Sequence, residues 1–342
     1  MLAEMARMRT VTPRPVAGSV EELLAGATER QRFGHDDGKS KVPFERVVIG
    51  GEHYIVKYLH VDHDWIARGF GDVACHPLTM WRSGLLDALP PGIDSAVVGA
   101  AAGLGRHGWG AALLMRDVSA WLVPAGDEPV PADQHDRFVA HMAALHASFW
   151  GFADDVGLLP ASHRWIIFGD DMLRTELERD EPATVVTIAA RGWERFAHRA
   201  PSDVVAVVAD LRRDVGSLTD ALWRTPRTLV HGDWKMGNLG SHRDGRTILL
   251  DWQAPGEAPG CSDLAWYLSL NAARLPRTKE DTVDAYCTAL EAVGVDTTAW
   301  FDTQLSLCLL GNLVQFGWEK ALGTDEELGW WVDRARQGAR CL

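Results

Sequence analysis

The sequence predicts an α+β protein with a strand-rich first third and a mainly helical remainder. Short apolar runs with strand-like alternation, two of them joined at Gly50-Gly51, characterise the first part. Apolar residues recur at helical spacing through most of the chain after residue 131. A length of 342 residues suggests about two domains. The strand-rich and the helical parts are therefore expected to form separate units.

The composition is that of an ordinary globular protein, with 46% hydrophobic and 24% charged residues. A net charge of −13 argues against nucleic acid as a partner. The five cysteines form no CxxC pair, which favours free thiols and a reducing cytoplasmic location. Charged residues interrupt the N-terminus where a signal peptide needs an apolar run, and no stretch of about 18 apolar residues predicts a membrane span.

The first part contains five predicted strands and two predicted helical segments, of which the first is a short helix at 20–27 capped by Ser19. We expect a strand at 30–33, a glycine-containing loop at 34–41 and a hairpin with strands at 44–49 and 53–59. Residues 62–89 carry a broken apolar face and are predicted to be mostly helical. Two further strands, at 96–101 and 109–115, flank the sequence GLGRHG. A strand follows these glycines, so a hairpin turn is favoured over a dinucleotide-binding turn.

The second part is predicted to consist mainly of helices. Their expected ranges are 131–152, 164–199, 202–223, 281–293, 302–321 and 325–340.

Between these helices lies the stretch TLVHGDWKMGNLGSHRDGRTILLDWQ, residues 228–253. It contains two short apolar strands, at 228–230 and 247–250. The first is followed by four polar residues of interest, and the second by Asp251; the four are His231, Asp233, Lys235 and Asn238. Two strands that both end at carboxylates are expected to place Asp233 and Asp251 side by side at one end of a sheet. Intervening glycines allow the tight turns that this requires.

This HGDWKMGN followed by ILLDW resembles the aminoglycoside phosphotransferase and choline kinase superfamily, whose usual form is HGDxxxxN followed by a strand and DW, DF or DL. The resemblance spans roughly residues 30–268. It implies a bilobal protein-kinase-like fold with a hinge near residues 113–119. Residues 1–115 would form a small antiparallel-sheet N-lobe that binds nucleotide, and residues 116–342 a larger, mainly helical C-lobe that carries catalytic and acceptor-binding residues. The resemblance also implies ATP and Mg²⁺ as cofactors.

The expected site residues follow from this resemblance and from the chemistry of phosphoryl transfer, which needs cations on the phosphates and an aligned hydroxyl. Asn238 and Asp251 supply oxygens for Mg²⁺, and Asp233 accepts the proton of the substrate hydroxyl. Three further groups are expected to contact the nucleotide: Lys57 at the α- and β-phosphates, Ser40 at the phosphates, and the backbone near Met115–Asp117 at the adenine. Lys235 is placed along the γ-phosphate, and His231 is expected to brace the loop.

The chain departs from the family pattern at two places. Lys235 stands where many small-molecule kinases of the family have histidine. No glutamate occurs between Glu52 and Glu128, so the usual helix partner of the strand lysine is absent. The partner of Lys57 is then an aspartate such as Asp72, a different group, or none. Asp263 is interpreted either as a brace for the catalytic loop or as a plain helix N-cap.

The leading hypothesis is transfer of the γ-phosphate to a hydroxyl of a small polar molecule, such as an aminoglycoside or amino sugar. The short segment between Asp251 and Asp263 favours a small acceptor over a protein. A nucleotide-binding pseudokinase is the alternative, motivated by the missing glutamate. A metal-dependent hydrolase using His231, Asp233, Asp251 and Asp263 is disfavoured because zinc hydrolases usually need more nitrogen ligands. The sequence leaves open the acceptor, the choice between ATP and GTP, and the oligomeric state.

Overall fold

The computed structural model describes residues 11–34, 42–105 and 107–342. Its architecture is the predicted α+β arrangement of a small antiparallel-sheet lobe followed by a larger helical lobe. In the described residues the first sheet has five strands in the order β1-β2-β3-β6-β5, all antiparallel. These strands are β1 (Ala27–Phe33), β2 (Phe44–Ile49), β3 (Glu52–Leu59), β5 (Val97–Leu104) and β6 (Gly110–Arg116).

The pairing of β3 with β6 places the functional part of this sheet. Lys57 lies opposite Leu113, and Ile55 lies opposite Met115. Because side chains alternate between the two faces of a strand, Lys57 and Leu59 share one face of β3, and Leu113 and Met115 share one face of β6. A short helix, α1 (Val20–Leu23), packs against β5.

The segment predicted as one helix at 62–89 is broken into three. It forms α2 (Trp65–Phe70), α3 (His76–Ser83) and a 3₁₀ turn (Leu85–Asp87). Gly71 and Gly84 adopt left-handed conformations that end α2 and α3, and Pro77 stands in the first turn of α3. These residues are typical helix boundaries, and they outweigh the apolar spacing that suggested one helix.

Two small sheets hold the central stretch. β4 (Ile93–Asp94) joins β9 (Thr247–Leu249) and β8 (Leu239–Ser241), while β7 (Thr228–Val230) pairs with β10 (Gly256–Ala258). The expectation that β7 and β9 end side by side in one sheet is therefore wrong. A hydrogen bond between the loops that follow β7 and β9 brings the two loops together instead. The backbone N–H of Leu250 donates to the Asn238 carbonyl at 2.9 Å.

The helical lobe surrounds one long central helix. Its helices are α4 (Ala132–Ser148), α5 (Ala161–Arg164), α6 (Asp170–Leu177), α7 (Thr184–Arg199), α8 (Ser202–Arg213), α9 (Gly216–Leu222), α10 (Cys261–Leu270), α11 (Lys279–Ala292), α12 (Phe301–Lys320) and α13 (Asp325–Ala339). The predicted helices at 164–199 and 202–223 are each divided.

Helix α12 is buried along most of its length and packs against α7, α8, α10 and α13. The largest cluster of buried apolar side chains runs through this lobe and continues into α2 and α3. Helix α10 is buried on nearly every face and packs against α12. It also contacts the loop after β7, residues 231–238, which we call the catalytic loop, and can hold side chains rigidly against it. Among the described helices, none combines the length and apolar character needed to cross a membrane.

Candidate active site

The carboxylate of Asp263, on α10, holds the backbone of the loop after β7. One oxygen of Asp263 accepts the backbone N–H of His231 at 2.8 Å, and the other accepts that of Gly232 at 2.7 Å. Burial alone would raise the pKa of Asp263, but a hydrogen bond from His146 and nearby positive charge hold that pKa below its usual range. The N-cap of α10 is Gly260, so the N-cap interpretation of Asp263 is wrong and the brace is confirmed.

His231 braces the loop from inside. Its fully buried ring contacts the Leu250 carbonyl through Nε2 at 2.9 Å and the Asp233 backbone N–H through Nδ1 at 3.2 Å. These partners assign the proton to Nε2, with Nδ1 as an acceptor. Burial lowers the pKa of His231, which keeps the ring neutral. The geometry therefore supports a bracing role and leaves no ring nitrogen for an acceptor molecule.

The carboxylate of Asp233 is fixed by three side-chain donors. Oδ2 accepts from Lys235 Nζ at 2.6 Å and from Asn238 Nδ2 at 2.8 Å. Oδ1 accepts from the indole Nε1 of Trp266 at 2.8 Å. Asp233 is 8% exposed, so the carboxylate is largely shielded but can be reached from the surface. The sequence analysis named Lys235 and Asn238 as site residues but did not name Trp266. A tryptophan among apolar helix residues gives no sign that its indole N–H donates to a carboxylate.

Asp251 lies beyond β9 in a left-handed backbone conformation with φ of 65°. Such strain in a non-glycine residue is often found at functional positions. Lys57 Nζ donates to Asp251 Oδ1 at 2.6 Å. Burial would raise the pKa of Asp251, but Lys57 and Lys235 hold it below its usual range, so the group is a carboxylate. The oxygens of Asp251 and Asn238 are of the kind that could hold Mg²⁺.

The partner of Lys57 is thus an aspartate, but it is Asp251 and not Asp72. Both carboxylate oxygens of Asp72 accept the backbone N–H of His76, at 3.1 and 2.9 Å, at the start of α3. The same helical segment supplies Asp64, a buried carboxylate bonded to the side chain of Gln253. Lys57 therefore connects the five-stranded sheet directly to Asp251, the second residue beyond β9.

A pocket lies between Lys57 and the end of β6. Its walls are mainly apolar, with Lys57 and Asp251 at one side; the lining residues are Lys57, Leu59, Pro77, Leu86, Ser95, Val97, Leu113, Met115, Asp251 and Trp252. An apolar pocket with a few polar groups at one end suits a flat base that carries a charged group. Of these residues the sequence analysis named Lys57, Met115 and Asp251, whereas Pro77 and Leu86 had no signal in the sequence.

Two predicted nucleotide-binding residues have other outcomes. Asp117 does not line the pocket: its carboxylate accepts from the backbone and hydroxyl of Ser119, and its backbone N–H donates to the His53 carbonyl at 3.2 Å. The backbone N–H of Asp117 is therefore already bonded, and the expected contact between adenine and the backbone near Met115–Asp117 stays a prediction. Ser40 lies outside the described residues.

Solved structures with a similar fold include the choline kinase LicA from Streptococcus pneumoniae, which is 15% identical, with 94% of this chain and 96% of that chain covered and a TM-score of 0.51. LicA in complex with AMP is 14% identical at the same coverage, with a TM-score of 0.52. A spectinomycin phosphotransferase in complex with ADP and spectinomycin is 14% identical over 95% of both chains, with a TM-score of 0.45.

No curated protein sequence matches the chain significantly. The model of the phosphotransferase enzyme family matches residues 96–295, which include the catalytic loop, Asp251 and Asp263 and make up more than half of the sequence. The chain belongs to the phosphotransferase enzyme family.

Proposed function

We propose that the protein transfers the γ-phosphoryl group of ATP to a hydroxyl of a small polar molecule, such as an aminoglycoside or amino sugar. The observation that carries this proposal is the arrangement around Asp233. A carboxylate fixed by Lys235, Asn238 and Trp266 lies on one loop, and the Lys57–Asp251 pair lies on the loop beside it. The two loops together supply a base, positive charge and oxygen ligands for a metal ion, which are the components that phosphoryl transfer needs.

In this proposal Asp233 is the catalytic base. The acceptor hydroxyl gives its proton to the carboxylate as its oxygen bonds to the γ-phosphorus, and the bond from that phosphorus to the bridging oxygen breaks to release ADP. Lys235, whose pKa is raised above its usual value by Asp233 and Asp251 despite burial, stays protonated beside the site of transfer. A positive charge there stabilises the charge on the transferring group.

Nucleotide binding is assigned to the pocket between Lys57 and Met115. Its apolar walls suit the adenine, and Lys57 at its inner end suits the α- and β-phosphates. Asn238 and Asp251 would hold Mg²⁺, which when bound neutralises phosphate charge. The amide of Asn238 directs its nitrogen to Asp233, which leaves its oxygen for such a role. Ser40 is retained as a phosphate contact on sequence grounds alone.

We further propose that residues 1–115 form the nucleotide-binding lobe and residues 116–342 the catalytic and acceptor-binding lobe. Strand β6 ends at Arg116, close to this boundary. A cytoplasmic location accords with a need for ATP and with five cysteines that are all free thiols in the structure. The net charge of −13 accords with a small-molecule acceptor and no nucleic-acid partner.

The test is ADP release with Mg-ATP against a panel of aminoglycosides, amino sugars, choline and homoserine. Asp233→Ala is the blank, and Asp244→Ala is its matched control, because Asp244 is an exposed aspartate in the β8–β9 turn with contacts only to Arg246 among the described residues. We expect activity that Asp244→Ala keeps and Asp233→Ala lowers by about 10² or more. Equal activity of a folded Asp233→Ala protein would refute the assigned base.

A second candidate, a nucleotide-binding protein without transfer activity, is favoured by one observation. Lys57 Nζ, which we assign to the phosphates, donates to Asp251 Oδ1 at 2.6 Å. The same bond uses an oxygen that we assign to Mg²⁺. If this pair persists with nucleotide present, calorimetry should show ATP binding that is independent of Mg²⁺, without ADP release on any acceptor. Binding that strengthens with Mg²⁺ and ADP release on one acceptor would exclude this candidate.

A further inference from the structure

The indole of Trp266 contacts the carboxylate that we assign as the catalytic base. Its Nε1 donates to Asp233 Oδ1 at 2.8 Å. Trp266 lies in the middle of α10 and is 8% exposed, and its ring packs edge-on against Phe316 of α12, with centroids 4.9 Å apart. The donor is thus built on a buried helix and held by a second buried helix, so it has little freedom to move.

The two oxygens of Asp233 are not equivalent. A carboxylate oxygen has about two acceptor positions, and Oδ2 fills both, with Lys235 Nζ at 2.6 Å and Asn238 Nδ2 at 2.8 Å. Oδ1 accepts from Trp266, and within the described part of the chain no second side chain donates to it. One acceptor position therefore remains on the carboxylate, and it is on Oδ1.

We infer that Trp266 is a positioning residue that fixes the carboxylate of Asp233 so that Oδ1, and not Oδ2, takes the proton of the acceptor hydroxyl. This inference rests on the proposed function. Without the indole donor, the carboxylate is restrained through Oδ2 alone and can rotate about its Cβ–Cγ bond. The hydroxyl then loses a fixed acceptor as its oxygen bonds to the γ-phosphorus and the bond to ADP breaks.

A purely structural role for the indole donor predicts different behaviour. A buried N–H needs some acceptor, and backbone carbonyls serve this purpose for Trp252 and Trp193, which donate to Leu249 and Phe168. Loss of such a bond lowers stability but leaves turnover of the folded protein unchanged. A positioning role instead lowers kcat and leaves the affinity for ATP unchanged, because the nucleotide pocket does not include Trp266.

The protein offers a matched control. Trp331 of α13 is also a buried tryptophan whose Nε1 donates to a carboxylate oxygen, Glu327 Oε1, at 2.8 Å. Trp331→Phe therefore removes the same kind of bond from a carboxylate that is not part of the proposed site. Trp266→Phe keeps a ring of lower volume. A 3-benzothienylalanine introduced at position 266 keeps the shape of the indole but has sulfur in place of the N–H. This variant therefore tests the loss of the hydrogen-bond donor without a change in packing.

The first measurement is ADP release with Mg-ATP and the acceptor that serves in the panel, or with water as acceptor where none serves. We expect both substitutions at Trp266 to lower kcat by about ten- to a hundredfold with KM for ATP within about twofold. Trp331→Phe should keep the wild-type kcat. Wild-type kcat in the benzothienyl variant would overturn the inference.

The second measurement needs no turnover. In the ¹H–¹⁵N spectrum of the 15 tryptophan indoles, the Trp266 resonance is assigned by its loss in Trp266→Phe. We expect Asp233→Ala to move this resonance upfield in the proton dimension while that of Trp331 stays in place. An unmoved Trp266 resonance would overturn the contact and the inference. Wild-type protein that releases no ADP would refute the proposed function, and the inference would fall with it.

Discussion

Gly232 lies at the closest approach between the catalytic loop and the loop after β9. Its φ is +81°, a left-handed conformation. A Cβ at this position would lie 2.0 Å from the carbonyl oxygen of Ala254 and 2.5 Å from Nη1 of Arg164. The Ala254 oxygen belongs to the backbone, so a side-chain rotation cannot relieve that contact. Arg164 is buried and its Nη2 donates to the same oxygen at 2.9 Å, so movement of its guanidinium would strain or break that bond.

Gly232→Ala should therefore destabilise the protein by two additive effects. The left-handed conformation costs an alanine about 1–2 kcal/mol, and the forced movement of packed neighbours costs about 1–3 kcal/mol. We expect a total loss of about 2–5 kcal/mol in the free energy of unfolding. Turnover should also fall, because the substitution displaces the residue that precedes Asp233 in the chain.

Gly245→Ala separates the two effects. Gly245 also has a left-handed φ, +88°, but a Cβ there would meet nothing within 4 Å. This substitution should cost only the conformational part, about 1–2 kcal/mol, and leave ADP release unchanged. The assay is urea unfolding followed by tryptophan fluorescence, with the midpoint and slope fitted for both variants. Equal losses for Gly232→Ala and Gly245→Ala would refute the close approach as the cause.

Three further outcomes are expected. Asp263→Asn should lower the free energy of unfolding by about 3–5 kcal/mol at pH 7, because two buried N–H groups lose a charged acceptor. The folded-state pKa of Asp263 is below its unfolded value of about 3.9, so its stabilisation is complete above that value and is lost as pH falls through the folded-state pKa; urea unfolding from pH 7 to 3 should show a weaker acid dependence in the variant. Lys57→Met should weaken Mg-ATP binding by about tenfold in calorimetry while Asp72→Asn leaves it unchanged, and equal effects would contradict the assignment of Lys57 to the nucleotide. In a thiol titration of the native protein, Cys287 and Cys341 should react before the buried Cys75, Cys261 and Cys308, whereas the denatured chain should show all five reacting alike.

Local pattern was sufficient for the strands of the first sheet. The strand at Phe44–Ile49 was predicted to the residue, since alternation and the Gly50-Gly51 turn agree there. The brace at Asp263 followed from the resemblance. The extent of the helical segments did not follow, because the apolar spacing across 62–89 ignores the left-handed residues at Gly71 and Gly84.

Long-range pairing was beyond the sequence. The strands before Asp233 and Asp251 are both short and apolar, and nothing in them indicates that β7 pairs with β10 while β9 pairs with β4 and β8. Trp266 lies among apolar residues in the sequence, but its single polar atom is what contacts Asp233. Such contacts depend on where two distant segments meet, which a local pattern does not contain.

The missing glutamate shows what the sequence could predict about Lys57 and what it could not. Its absence between Glu52 and Glu128 was visible, and it correctly implied an unusual environment for Lys57. The replacement was not visible, because Asp251 is 194 positions away in the chain. A buried lysine needs a nearby negative charge, and Asp251 is held as a carboxylate largely by that same lysine. Each charge thus offsets the burial of the other. Under the proposed function, a cation that binds Asp251 would release Lys57 for the phosphates. In this chain, binding of nucleotide and of Mg²⁺ should therefore be coupled through one ion pair.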